Sequence, residues 1–222
     1  MKKFESPPLT VEKAKDIDQA TSNYIYVSSV LFKNFQTATQ KAGTSQEPIY
    51  VELMSYVFIL AADRTLDKDS MIISGVTRSQ LKISHTMDHP SIKEFQGGSK
   101  NYLAASISMR ITAPRLQQNF EVPEKELGDA IISKYRKHII SLGQEIFFCY
   151  KGVDLVITVD KIDITDEDDM EEFPFGMIFE ETDFEIKSKT QFLRVKSKSL
   201  QSKNIFNKKF DFSNLGVGGM DE

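Results

Sequence analysis

Gly97-Gly98-Ser99-Lys100 sets glycines beside a lysine, the ingredients of a phosphate cradle. A triphosphate loop needs Gly-x-x-x-x-Gly-Lys-Ser/Thr, so that successive backbone N–H groups wrap the anion. No such run occurs in the 222 residues, and nothing in them can hold a triphosphate in that way. His85 and His89 stand four apart with Asp88 between them. Without a zincin glutamate or a fourth ligand they read as linker histidines. The acidic run Asp163 to Glu172 offers oxygens for calcium. It lacks the turn glycine and the terminal glutamate at the required spacing, so it reads as a solvated loop. Cys149 is the single cysteine, which excludes an intrachain disulfide and fits a reducing compartment. Its neighbours Phe147, Phe148 and Tyr150 predict a buried thiol packed as a small hydrophobe. Serine, histidine and aspartate are present for a triad, but no nucleophile elbow marks one. Paired carboxylates are abundant and uninformative.

What remains is charge and its placement. A net charge of −4 conceals segregation. From Asp160 to Glu185 there are twelve acids against Lys161 alone, and from Ile186 to Phe210 eight bases and no acid. Both blocks read first as solvated faces and loops. The basic one lies beside its counter-charges in an acidic chain and does not form an isolated patch with aromatic stacking, which argues against nucleic acid. A 40% hydrophobic and 27% charged composition is that of an ordinary soluble protein. No apolar run approaches the roughly 20 residues of a membrane span, and no signal-peptide core follows Met1-Lys2-Lys3.

The elements that must position these charges fall into two β-rich halves. Tyr24 to Phe32 has the β-branched and aromatic enrichment of a strand. Residues 35–48 read as a loop, Ile49 to Leu60 as one strand buried on both faces, and 70–74 and 81–83 as short strands around Arg78. Many short strands and no convincing long helix in this half point to a small barrel. Ser84 to Lys100 has no periodicity and holds the boundary. Leu103, Ala105, Ile107, Met109 and Ile111 alternate along a strand that Pro114 ends. Pro123 opens a helix, Leu127, Ile131, Tyr135 and Ile139 form its apolar stripe, and Gly143 stops it. Gln144–Tyr150 and Val153–Ile162 form a hairpin around Lys151-Gly152. Short strands follow at 176–180, 183–187 and 191–195, completing an α+β roll.

Three stretches then fall in a telling order. They are Ile140-Ser141-Leu142-Gly143-Gln144-Glu145-Ile146-Phe147-Phe148, the hairpin through Ile164, and the exit Phe210-Asp211-Phe212-Ser213-Asn214-Leu215-Gly216-Val217-Gly218-Gly219-Met220-Asp221. In these the chain resembles, over nearly its whole length, the amino-terminal domains of the vesicle-fusing ATPases (the N-ethylmaleimide-sensitive factor family, of the AAA class). That family spells its exit as an aromatic, a polar spacer, then Gly-hydrophobic-Gly-Gly-hydrophobic-Asp. The resemblance implies a β-rich α+β fold: a double-psi β-barrel over 1–88, a linker over 89–100, a small α/β roll over 101–200, and a linker over 201–222 leading to a first ATPase module. It further implies two such modules beyond residue 222, a homohexamer, and ATP with magnesium as cofactors of the full-length protein but none here. The family's domain does no chemistry. It grips soluble attachment proteins (SNAP adaptors) on SNARE complexes from the cytoplasm, peripheral to vesicle and Golgi membranes and not inserted in them.

The family's adaptor is acidic and is met by basic side chains in the groove between the two halves. Arg78, within Ile72-Ile73-Ser74-Gly75-Val76-Thr77-Arg78, falls on the groove arginine. The lysine that follows it in the family is Ser79 here, with Lys82 nearby as a substitute. Lys3 corresponds loosely to a basic residue ahead of the first strand. The family's lysine pair in the second half aligns with uncharged Leu116-Gln117-Gln118, so Arg115 is the expected replacement. Two other classes share the architecture: the substrate-adaptor domain of a ubiquitin-dependent segregase, and an enzyme on a double-psi barrel.

Overall fold

A computed structural model describes residues 4–39, 47–84, 87–95, 102–164 and 174–197. Lys3, His85, Gly97 to Lys100, most of the acidic run and the glycine-rich exit lie outside them.

The first core is built on β1 (Thr10–Glu12), α1 (Ile17–Thr21), β2 (Tyr24–Ser28), α2 (Ser29–Thr39), β3 (Tyr50–Leu53), β4 (Tyr56–Asp63), β5 (Ser70–Ile72), α3 (Gly75–Gln80) and β6 (Lys93–Glu94). Its six strands form one mixed sheet in the order β1-β5-β2-β4-β3-β6. The sheet of named strands is open, so the expected closed barrel is not formed by them. The segment preceding β1 nevertheless reaches the far edge, where Glu5 bridges Lys93 antiparallel and the Ser6 N–H donates to the Ile92 carbonyl at 2.9 Å. β6 falls within the expected linker, yet belongs to this sheet through its pairing with β3.

Several expectations are corrected here. The strand from Tyr24 stops at Ser28, whose hydroxyl accepts from the Leu31 N–H at 3.3 Å, and α2 takes the rest of that segment and the first residues, to Thr39, of the expected loop. Leu31 and Phe35, four residues apart, bury its apolar face. The single strand expected over 49–60 is a hairpin turning at Met54, with φ of 58°. Of the two short strands expected around Arg78, 70–74 forms as β5 over Ser70–Ile72 and 81–83 does not form. Between them lies α3, where Ser74 accepts from the Thr77 N–H at 3.1 Å, an N-cap that commits the next turn to helix.

The second core follows the sequence closely. β7 (Ala104–Thr112), β8 (Phe120–Pro123), α4 (Glu124–Tyr135), β9 (Ile139–Ser141), β10 (Glu145–Tyr150), β11 (Val153–Ile164), β12 (Phe175–Met177), β13 (Asp183–Ser188) and β14 (Leu193–Lys196) succeed one another. The main sheet runs β10-β11-β7-β13, with α4 packed against it through buried Leu127, Ile131 and Tyr135. α4 ends at Tyr135, about two turns before the expected stop at Gly143, and Ile139 is a strand residue. Gly143, at φ of +75°, makes the β9–β10 turn instead of ending the helix. Cys149 is exposed, not buried. Phe148 and Tyr150 alternate inward along β10, so the residue between them must face outward. The whole is a strand-rich α+β fold with two hydrophobic cores, one within residues 9–92 and one within 104–193.

Candidate functional site

The two cores meet along a seam of polar contacts, with the edge-on rings of Phe95 and Phe175 also facing across it. The Tyr50 hydroxyl donates to the Lys137 carbonyl at 2.6 Å, and the Ser141 hydroxyl accepts from the Val57 N–H at 3.1 Å. Gln144 donates to the Asn23 side-chain carbonyl at 3.1 Å. The Tyr24 ring stands edge-on to His138, with centroids 5.2 Å apart. His138 is buried and its Nε2 has no partner; burial pushes its pKa down, opposed by hydrogen bonds to backbone at Arg136 and Tyr135.

Arg78 sits on the second turn of α3, half-buried. It lines a concavity of about 260 Å³ together with Lys13, Ala14, Ala20, Ile73 and Gly75. Two cations thus share one hollow with an apolar floor and no carboxylate in its lining. Among the described residues neither cation belongs to an ion pair, whereas neighbouring Lys15 is held by Asp63 at 3.9 Å. Lys13 is placed by the start of α1, where Asp16 caps the helix by accepting from the Gln19 N–H at 2.8 Å.

The other expected residues are dispersed. Lys82 is exposed at φ of 55° and lines a separate concavity of about 270 Å³ with Met54, Leu81, Ile83, Asp88, His89 and Pro90. Asp88 offsets its charge there. Arg115 is exposed and reaches Asp154 at 3.8 Å. Asp154 pairs with Cys149 at the turn end of the β10–β11 hairpin, while α3 meets the hairpin at Glu145. Four strand residues, about 13 Å, separate those positions. The structure therefore brings Arg78 together with Lys13, and leaves Arg115 and Lys82 as outliers. Lys3 lies outside the described residues.

Lys134 adds a further cation on the second core. Its ammonium stands 5.4 Å from the Tyr135 centroid and 5.6 Å from that of Phe148, within cation–π range of both rings. Partial burial lowers its pKa, and electrostatic interactions with Cys149 and with Asp18 on α1 oppose that shift.

Sequence reasoning missed Lys13. Its signal was the Asp16-Ile17-Asp18-Gln19 run, a cap sequence that would have placed a short helix behind Lys13. Of the rejected constellations, His89 is exposed and its expected companion His85 lies outside the described residues. Among the described residues no three potential metal ligands cluster. No helix among them is long and apolar enough to cross a membrane.

No protein-family model matches the chain. It is similar to a vesicle-fusing ATPase of Arabidopsis thaliana, 22% identical over 216 residues that cover 96% of the chain and 28% of the relative. A vesicle-fusing ATPase of Dictyostelium discoideum is likewise 22% identical, over 226 residues that cover 98% of the chain and 30% of the relative. The chain therefore spans under a third of the length of these curated relatives, which as whole proteins are enzymes.

Proposed function

We propose that this chain is the non-catalytic, adaptor-binding amino-terminal domain of a vesicle-fusing ATPase of the AAA class. It grips an acidic SNAP adaptor on a SNARE complex, and ATP hydrolysis by modules elsewhere in a homohexamer supplies the force. The observation that carries this reading is the hollow shared by Lys13 and Arg78. Both charges are uncompensated among the described residues, and similarity to vesicle-fusing ATPases covers nearly the whole chain. Uncompensated cations in a concavity raise the local concentration of an acidic partner and fix its register, by roughly 10- to 1,000-fold in encounter rate at low salt. A weak individual grip suffices, because several domains on one ring multiply affinity by roughly 100- to 10,000-fold. Arg115 and Lys82 are further contacts for a broad acidic surface, and Lys3 is a further contact expected from the resemblance. ATP and magnesium belong to the ATPase modules, and the domain works in the cytoplasm, peripheral to membranes.

The first core is read as a double-psi β-barrel. Its support is the amino-terminal segment, which pairs with one edge strand, β6, at Glu5 and continues into the other edge strand, β1, alongside β5.

Purified SNAP adaptor, titrated against the 222-residue chain at low and physiological salt, tests the function. Micromolar, salt-sensitive binding is expected, with no ATP turnover by this chain. Binding to ubiquitin-system adaptors instead would favour a segregase, and ATP hydrolysis in a clean preparation would refute the non-catalytic reading.

A further inference from the structure

We propose that Gln80 is a positioning residue, a clasp that locks the Arg78-bearing helix onto the second core. The inference rests on the reading of Arg78 and Lys13 as the adaptor's contact. The Gln80 amide nitrogen donates to the Gly143 carbonyl at 2.6 Å and to the Tyr56 hydroxyl at 3.1 Å. Its oxygen accepts from the Glu145 N–H at 2.9 Å. One primary amide therefore uses both donors and one acceptor lone pair on three segments: the start of β4, the β9–β10 turn and the start of β10. Two of those belong to the second core, while α3 is wound onto the first.

Helical geometry divides the labour. Residues two apart on a helix point about 200° from one another. Arg78 lines the hollow with Lys13, and Gln80 on the other side of the same short helix holds Tyr56, Gly143 and Glu145. A partner pulling on Arg78 thus loads the second core through Gln80, as well as the first through the helix itself. The clasp also fixes where Arg78 stands relative to Arg115, so a partner touching both meets them already ordered. Loosening it shifts that ordering cost to the binding step.

No other side chain reproduces the clasp. Asparagine is one methylene short. Glutamate keeps the acceptor but loses both donors and sets a carboxylate against the Gly143 carbonyl. Leucine keeps the bulk and leaves the Glu145 N–H without its partner.

The test compares wild type with Gln80→Leu by backbone residual dipolar couplings, fitting one alignment tensor to each core, and by calorimetric titration with purified SNAP adaptor. In wild type one tensor should serve both cores. In Gln80→Leu the cores should stay folded but require two tensors, and adaptor affinity should fall about fivefold, the loss of roughly one hydrogen bond's worth of ordering. Should Gln80→Leu fail to fold, the isosteric Gln80→Glu makes the same comparison. A single tensor for the variant overturns the clasp, as does unchanged affinity with reoriented cores. Absence of adaptor binding by wild type overturns the reading of the Arg78 surface instead, with the tensors judging the clasp separately.

Discussion

Reversing the charge at Arg78 should remove most of the domain's hold on an acidic adaptor, and the size follows from its surroundings. A carboxylate docked about 6 Å away interacts by about 3 kcal/mol at an effective dielectric near 20, and by under about 1 kcal/mol in bulk water. Arg78 is half-buried in a hollow open to solvent, with no competing carboxylate in the lining, which places it between those limits. Arg78→Gln should then cost about 1 kcal/mol, a fivefold rise in Kd, and Arg78→Glu about 2 kcal/mol, roughly thirtyfold. Lys13 is more exposed, so Lys13→Glu should cost about half as much as Arg78→Glu. Because both line one hollow, the double variant should depart from additivity by at least about 0.5 kcal/mol. Calorimetry at about 50 and 200 mM salt, with circular dichroism to show that each variant folds, reads all three quantities. Arg78→Glu binding within twofold of wild type at both salts would refute the reasoning, as would strict additivity of the two reversals.

Arg115→Glu should weaken adaptor binding less than Arg78→Glu, since Asp154 already offsets Arg115 and the two arginines lie far apart along the hairpin; parallel titrations of the two variants decide it. Burial lowers the pKa of His138, while an unfolded chain takes up its proton near pH 6.5, so stability should be full above that pH and fall as pH drops below it. Thermal melts across that range check the sign, and His138→Gln should flatten the profile. At Gly176 an added methyl would meet Ile162 Cγ2 at 2.6 Å and Ala104 Cβ at 3.1 Å, so Gly176→Ala should cost about 1–3 kcal/mol and lower Tm by about 5 °C. An unchanged melt would mean that β12 shifts freely against β7 and β11.

The second core was legible and the first was not, for a physical reason. In β10 and β11 every second residue is apolar, the turn Lys151-Gly152 supplies two positive φ angles, and pairing is between neighbours in sequence. Local pattern and tertiary structure agree there. In the first core β2 pairs parallel with β4, and antiparallel with β5, across intervening helix and strands. Tyr24 to Phe32 carries one continuous apolar signal, yet a serine cap at Ser28 divides it into strand and helix. Periodicity registered the apolar face, and the cap chemistry that splits it went unread. Cys149 failed differently: aromatic neighbours suggested burial, but alternation along β10 sends it to the other face from Phe148 and Tyr150.

The site divides along the same line. Arg78 could be picked out through resemblance, but its partner could not, because Lys13 is 65 residues away in sequence and reaches the hollow only through the packing of α1 beside α3. A cation reads the same in sequence whether it is paired, diluted or concentrated. The fold makes that distinction: Lys15 is tied to Asp63, Arg115 to Asp154, and Lys82 shares its hollow with Asp88, while Lys13 and Arg78 converge without a counter-ion in their lining. A concavity that gathers uncompensated charge over an apolar floor carries a desolvation cost that a matching carboxylate relieves. The polar seam adds the second requirement of a handle. Two hydrophobic cores joined only by apolar contact could slide, whereas Gln80, Gln144 and Tyr50 each demand a particular register between them. Directional bonds across the seam hold the hollow in one orientation while load is applied, which a grip that transmits force needs more than it needs affinity.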